Sequence, residues 1–192
     1  GDTVVIKRAG DVIPNVIGPV IGARDGSEVP ITPPERCPFC DTPAIQPEGA
    51  VDTFCPNPHC PERVFRQVEF FVSRGAMDIE GMGPQTVKTL IEQGLIRDEA
   101  DIFSLGAEHL LPLEKFAEKK VQNLLASIEA AKRRPLERVL TSLGIEGVGS
   151  TVAQALAGYF GSIDALSSAT VEMLENVEGV GKILAQSIID WF

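Results

Sequence analysis

Ile145-Glu146-Gly147-Val148-Gly149 decides how this chain is read, because close copies of it recur as Ile79-Glu80-Gly81-Met82-Gly83 and Val177-Glu178-Gly179-Val180-Gly181. Leu113-Glu114-Lys115-Phe116-Ala117 is an eroded fourth copy. The first residues of the four copies are spaced by 34, 32 and 32, so most of the chain from Phe70 onward is one repeated unit. Each unit reads as a helix, a tight glycine turn and a second helix. A turn this short needs a positive φ or a close backbone approach, which glycine allows without steric cost. Met82, Val148 and Val180 offer an apolar plug between the glycines.

The residues after each turn, Pro84-Gln85-Thr86, Ser150-Thr151-Val152 and Lys182-Ile183-Leu184, start helices, with Pro84 at a first-turn position and Ser150 as a candidate cap. Unpaired backbone N–H groups and a helix N-terminus then converge on one spot, an anion site whose natural guest is phosphate. The plain alternative is a helical repeat packed only for stability, with its glycines ending helices. Three intact copies at a near-constant period resemble the helix-hairpin-helix family, whose hairpins grip nucleic-acid phosphates without reading bases. On that resemblance Gly81, Gly83, Gly147, Gly149, Gly179 and Gly181 are the expected DNA contacts. The turn near 113–117 has Lys115 and Ala117 in place of glycine and Glu118 beside the anion seat, so it is expected to serve packing.

The 192 residues, 44% of them hydrophobic, have room for one large or several small domains with packed cores. Apolar runs stop well short of the roughly 20 residues a bilayer span needs, and no charged-then-apolar leader opens the chain. A soluble cytoplasmic protein is the expectation. The chain opens at Gly1 without an initiator Met and is read as a fragment. A net charge of −10 opposes polyanion binding through a broad basic surface. Hairpins that bind through backbone dipoles weaken that objection, as do the clusters Lys7-Arg8, Lys119-Lys120 and Lys132-Arg133-Arg134.

Thr3–Arg8 is a strand run, Ala9-Gly10-Asp11 a turn, and Val12 through Gly22 further extended chain, giving a β-rich segment over 1–33 that is too short for a complete barrel. After a Pro-rich link come Cys37-Pro38-Phe39-Cys40 and, fourteen residues later, Cys55-Pro56-Asn57-Pro58-His59-Cys60. All four cysteines fall in this window, in two close pairs. Four thiolates so spaced can close a tetrahedron on Zn²⁺, and four protein ligands leave no open position, so the metal is structural. Two disulfides, a redox pair, or His59 in place of Cys60 are the alternatives. From 63 to 192 the pattern is helical, with Val64-Phe65, Val68 and Phe71-Val72 opening the first unit and Gly94 closing its second helix. The aromatics Phe70, Phe71 and Phe103 read as core.

Gly1-Asp2-Thr3 and Ile6-Lys7-Arg8-Ala9-Gly10-Asp11-Val12-Ile13-Pro14 resemble the later part of the OB fold of bacterial NAD-dependent DNA ligases. The succession of OB-like tail, four-cysteine zinc finger (34–62) and four helix-hairpin-helix repeats (63–192) is that family's order, and the resemblance covers essentially the whole chain. It implies an α+β, mainly α fold. It further implies that Arg8 anchors a DNA phosphate, that Val12 and Ile13 lie against the minor groove, and that the zinc finger is a rigid joint. The parent enzyme would seal nicks in DNA replication and repair, using NAD and Mg²⁺ held outside this chain. The expected partner is nicked double-stranded DNA without sequence preference, met by a monomer in the cytoplasm or on the nucleoid.

No Lys-x-Asp-Gly adenylylation motif occurs in the 192 residues, nor a Walker-type loop, and His59 and His109 are isolated. The chain is therefore expected to be inert alone. Rival readings are a stand-alone DNA-repair accessory module and a zinc-stabilised protein-interaction scaffold.

Overall fold

A computed structural model describes residues 1–9 and 13–192. Gly10, Asp11 and Val12, the heart of the expected turn and one expected groove contact, lie outside the described residues. The chain divides into two units, Gly1–Pro56 and Asn57–Phe192.

In the first unit, the β-branched runs form an antiparallel pair, β1 (Val4–Ala9) and β2 (Ile13–Pro19). Ile6 faces Val16 and Val5 faces Gly18, so Ile17 is an extra residue that bulges the pair. Val20 N–H donates to the Thr3 carbonyl at 2.8 Å, extending the pairing. Beyond it Ile21–Ala23 form a 3-10 turn, where continued extension was expected. There Arg24 comes back to Asp2 in a two-pronged ion pair of 2.6 and 2.8 Å, and this return needs the tight turn. Val4, Val5, Ile6, Ile13, Val16 and Ile17 are all exposed, so the pair is apolar on both faces and buried on neither among the described residues.

The second unit is helical: α1 (Pro61–Val72), α2 (Pro84–Glu92), α3 (Ala107–Leu110), α4 (Glu118–Ala131), α5 (Leu136–Ser142), α6 (Ser150–Phe160), α7 (Ile163–Ser167), α8 (Val171–Glu175) and α9 (Lys182–Trp191). The expected helices are present with shifted ends. α1 begins at Pro61, because proline suits the first helical position after Cys60. α4 stops at Ala131, short of Arg134. Between α2 and α3 the chain makes a 3-10 turn at Asp101–Ser104, so the repeat that carries Lys115 has only four residues of regular first helix.

Two hydrophobic cores form. Val68, Phe71, Val87, Leu90, Ile102, Leu110, Leu124 and Ile128 anchor the first, from α1 to α4. Leu140, Ala153, Leu156, Leu166, Leu174, Ala185 and Ile188 anchor the second, from α5 to α9. Repeats thus pair, one with two and three with four. Phe71 is buried and meets Phe103 edge-on at 6.1 Å, whereas Phe70 stands 45% exposed and is not the core residue expected. The core-facing stripe of α1 runs through Val68, Phe71 and Val72, and Phe70 lies to its side.

Candidate metal centre and nucleic-acid interface

The metal centre is built from two turns and a helix start. Cys37 N–H donates to the Thr42 carbonyl at 2.8 Å and Asp41 N–H to the Cys37 carbonyl at 2.9 Å, closing a knuckle with Asp41 at φ 57°. Arg36 grips the Asp41 carboxylate with two hydrogen bonds of 2.8 and 3.0 Å, which hold that carboxyl below its ordinary pKa. Ile45 and Phe54 exchange hydrogen bonds of 2.9 Å and bring the second cysteine turn back over the first. Cys60 stands at the N-cap position of α1.

The result is that the sulfurs of Cys37, Cys40, Cys55 and Cys60 all lie within 4.8 Å of one another. A tetrahedron of Zn–S bonds of about 2.3 Å has edges of roughly 3.8 Å, so this cage has the size for zinc. Cys40 and Cys55 sulfurs are 3.5 Å apart, and the cysteines form no disulfide, which removes the two-disulfide alternative. His59 is exposed and outside the cluster, so Cys60 and not His59 is the fourth member of the group that could hold a metal ion. Thr42 Oγ1 lies 3.3 Å from Cys40 Sγ, placed to donate to the thiolate once metal is bound. Between 34 and 60 the buried residues are Cys37 and Cys60. The segment has no apolar core, and a metal held by the four sulfurs would cross-link it instead.

The four hairpins share one backbone. Met82, Phe116, Val148 and Val180 N–H groups donate to the carbonyls of Ile79, Leu113, Ile145 and Val177 at 2.9–3.2 Å, closing four-residue turns. The third residue of each turn has a positive φ: 90° at Gly81, 68° at Lys115, 81° at Gly147 and 83° at Gly179. Met82, Phe116, Val148 and Val180 are all buried, so the expected plug is present and extends to the eroded copy. A Cβ on Gly147 would stand 2.8 Å from Leu184 of α9, and one on Gly81 would stand 3.5 Å from Leu124 of α4. Each of these turns packs on the second helix of its partner repeat.

The second glycine of each turn is different, and here the expectation that both glycines serve the turn is corrected. Gly83, Gly149 and Gly181 have φ of −66°, −86° and −93°, which any residue adopts, and Ala117 has −69° at the same place. A Cβ on any of the three glycines would meet nothing within 4 Å. These residues are the N-caps of α2, α6 and α9, and none of those helices receives a side-chain cap. Ser150 is thus the first helical residue and not the cap anticipated. Elsewhere the chain does cap: Ser162 accepts from Ala165 N–H at 3.2 Å and Thr170 from Met173 N–H at 3.3 Å, at the connectors α7 and α8. Gly83, Gly149 and Gly181 are exposed at these helix starts, and Pro84 leaves the first position of α2 without an N–H.

The basic clusters divide by role. Arg134 is 2.8 Å from the Asp78 carboxylate and bonds the Met77 and Asp78 carbonyls, clamping the entry to the first hairpin. Lys132 pairs with Glu129 at 2.8 Å. Lys119 and Lys120 line a cleft of about 940 Å³ with Gly81, and Lys182 lines another with Gly147 and Gly181. Lys182 was missed in the sequence, although it directly follows Gly181. Arg8 and Ile13 are exposed at the end of the strand pair where Ala9 pairs with Ile13.

Comparison with known proteins agrees with this geometry. Residues 36–61 match the NAD-dependent DNA ligase C4 zinc finger domain. The chain carries the zinc finger of NAD-dependent DNA ligases. Around this ligase-type finger, residues 74–130 match the SAM-like Helix-hairpin-helix tandem and residues 138–192 the Helix-hairpin-helix motif. The chain is 50% identical over its full length to proteins named DNA ligase from Chloroflexus aurantiacus and from Herpetosiphon aurantiacus, and 47% identical to one from Rubrobacter xylanophilus. It spans only 27–28% of the length of these curated relatives. Among the described residues no helix is long and apolar enough to cross a membrane.

Proposed function

We propose that this chain is the sequence-independent duplex-gripping portion of an NAD-dependent DNA ligase, which joins a 5′-phosphate to a 3′-hydroxyl at nicks in replication and repair. The observation that carries the reading is the set of uncapped helix starts at Gly83, Gly149 and Gly181. No backbone strain and no internal contact calls for glycine there, and Ser or Asp would cap the helix better. Glycine is the residue that lets an outside phosphate reach the helix N–H groups. Paired repeats then meet the two backbones of the duplex, Arg8 anchors a further phosphate, and Ile13 with Val12 lies along the minor groove. Cys37, Cys40, Cys55 and Cys60 hold structural zinc. NAD and Mg²⁺ serve the parent enzyme outside this chain, which is monomeric, works on nucleoid DNA in the cytoplasm and does not seal nicks by itself.

A salt titration of labelled nicked duplexes of unrelated sequence tests this reading. With a net charge of −10, binding should be weak, equal for all sequences, and fall linearly in log K against log salt by about 0.9 per phosphate neutralised. Binding that ignores salt, or that follows sequence, would contradict it. Absence of any duplex binding at low salt would favour the interaction-scaffold reading. Nick sealing by the chain alone would refute its inactivity.

A further inference from the structure

The first exposed position after the leading residue of each hairpin's second helix is Gln85 in α2, Lys119 in α4, Thr151 in α6 and Ile183 in α9. Three are polar, as solvent requires. Ile183 is 90% exposed, an apolar side chain on a helix whose neighbours Ala185 and Ile188 are buried. Folding of the chain gains nothing from it.

Its surroundings say what it faces. Ile183 lines a cleft with Glu146, Gly147, Gly181 and Lys182, so it shares a surface with both hairpins of the second pair, and it also borders a second cleft with Arg63, Arg66 and Trp191. Leu184, the next residue, is the contact on which the Gly147 turn sits, and Ser187 one turn later donates to the Glu146 carbonyl at 3.1 Å. The third hairpin is therefore fixed to α9, and Ile183 stands beside it. If the hairpins at Gly149 and Gly181 hold phosphates, an apolar side chain beside both meets what lies between the backbones, the sugar edges of the minor groove. We propose that Ile183 is a positioning residue that packs on the groove of the duplex. This inference rests on the hairpin grip proposed above.

Ile183→Ser is the test, read by binding of the chain to a nicked B-form duplex across a salt series, with thermal unfolding in parallel. Burial of an isoleucine side chain predicts about a ten-fold loss of affinity. The slope of log K against log salt should not change, because no phosphate contact is lost, and Ile183→Val should retain most of the affinity. Lys182→Gln, by contrast, should lower the slope by about 0.9. Equal affinity of Ile183→Ser and the parent chain would overturn the role, as would a loss accompanied by a reduced slope or a lowered melting temperature. Failure of the parent chain itself to bind would overturn the grip, and the role of Ile183 with it.

Discussion

The turn at Lys115 and the turn at Gly147 have the same backbone and different sequences. Both close with a hydrogen bond near 3 Å, both bury the next residue, Phe116 or Val148, and both hold a positive φ. Lys115 tolerates that φ at a cost of about 1–2 kcal/mol that Gly147 avoids. The difference teaches which glycine does what. Losing the first glycine leaves the turn intact under strain, and losing the second leaves it intact with no strain at all, since Ala117 and Gly149 both lie in the extended region. The fold therefore asks for the first glycine where a neighbour crowds it, as Leu184 crowds Gly147, and does not ask for the second. On the reading proposed above, what asks for the second is a phosphate outside the chain.

The largest effect should come from the one segment that has no core of its own. Chelation of zinc should unfold 36–60, seen as loss of hydrogen-exchange protection there, while the amides of Leu90 and Leu156 in the two cores stay protected. Unchanged protection at Cys37 and Ile45 without metal would remove the structural role. Next, Gly147→Val should destabilise the second pair by about 3 kcal/mol in urea unfolding, combining a forced positive φ with overpacking against Leu184. The same change at Lys115 should cost much less than that, because the strained φ is already occupied by a side chain. Smallest, Lys115→Gly should stabilise the first pair by about 1 kcal/mol. A destabilisation there would mean that Lys115 has packing worth more than its backbone strain.

The sequence made the cysteine cage and the hairpins legible because each is a local pattern at fixed spacing: Cys37-x-x-Cys40 closes within one turn, and Gly-x-Gly marks a turn and a helix start together. The plug residues were legible for the same reason. The identity of each glycine's task was not, because φ at Gly149 and the free space over it appear only when the helix beyond and the partner repeat are in place. Arg134 reads as part of a basic run, yet its partner Asp78 is 56 residues away. Ile21–Ala23 reads as strand from its apolar content, but the chain turns there and Arg24 returns to Asp2, a partner 22 residues away. Phe70 beside Phe71 shows the limit of composition: helical geometry gives the core to one of them.

The central claim is that Gly149 and Gly181 serve the duplex and not the fold, and serine at both positions tests it most directly. Serine is the better N-cap and fits the observed backbone, so Gly149→Ser with Gly181→Ser should leave the melting temperature unchanged or raised. The same hydroxyls take the helix N–H groups that phosphate would use, so duplex affinity should fall at least about ten-fold, the scale of losing one or two charge-assisted hydrogen bonds. Ala117→Ser, at the eroded hairpin, should leave affinity as it was. Undiminished duplex binding by the double serine variant would contradict the account.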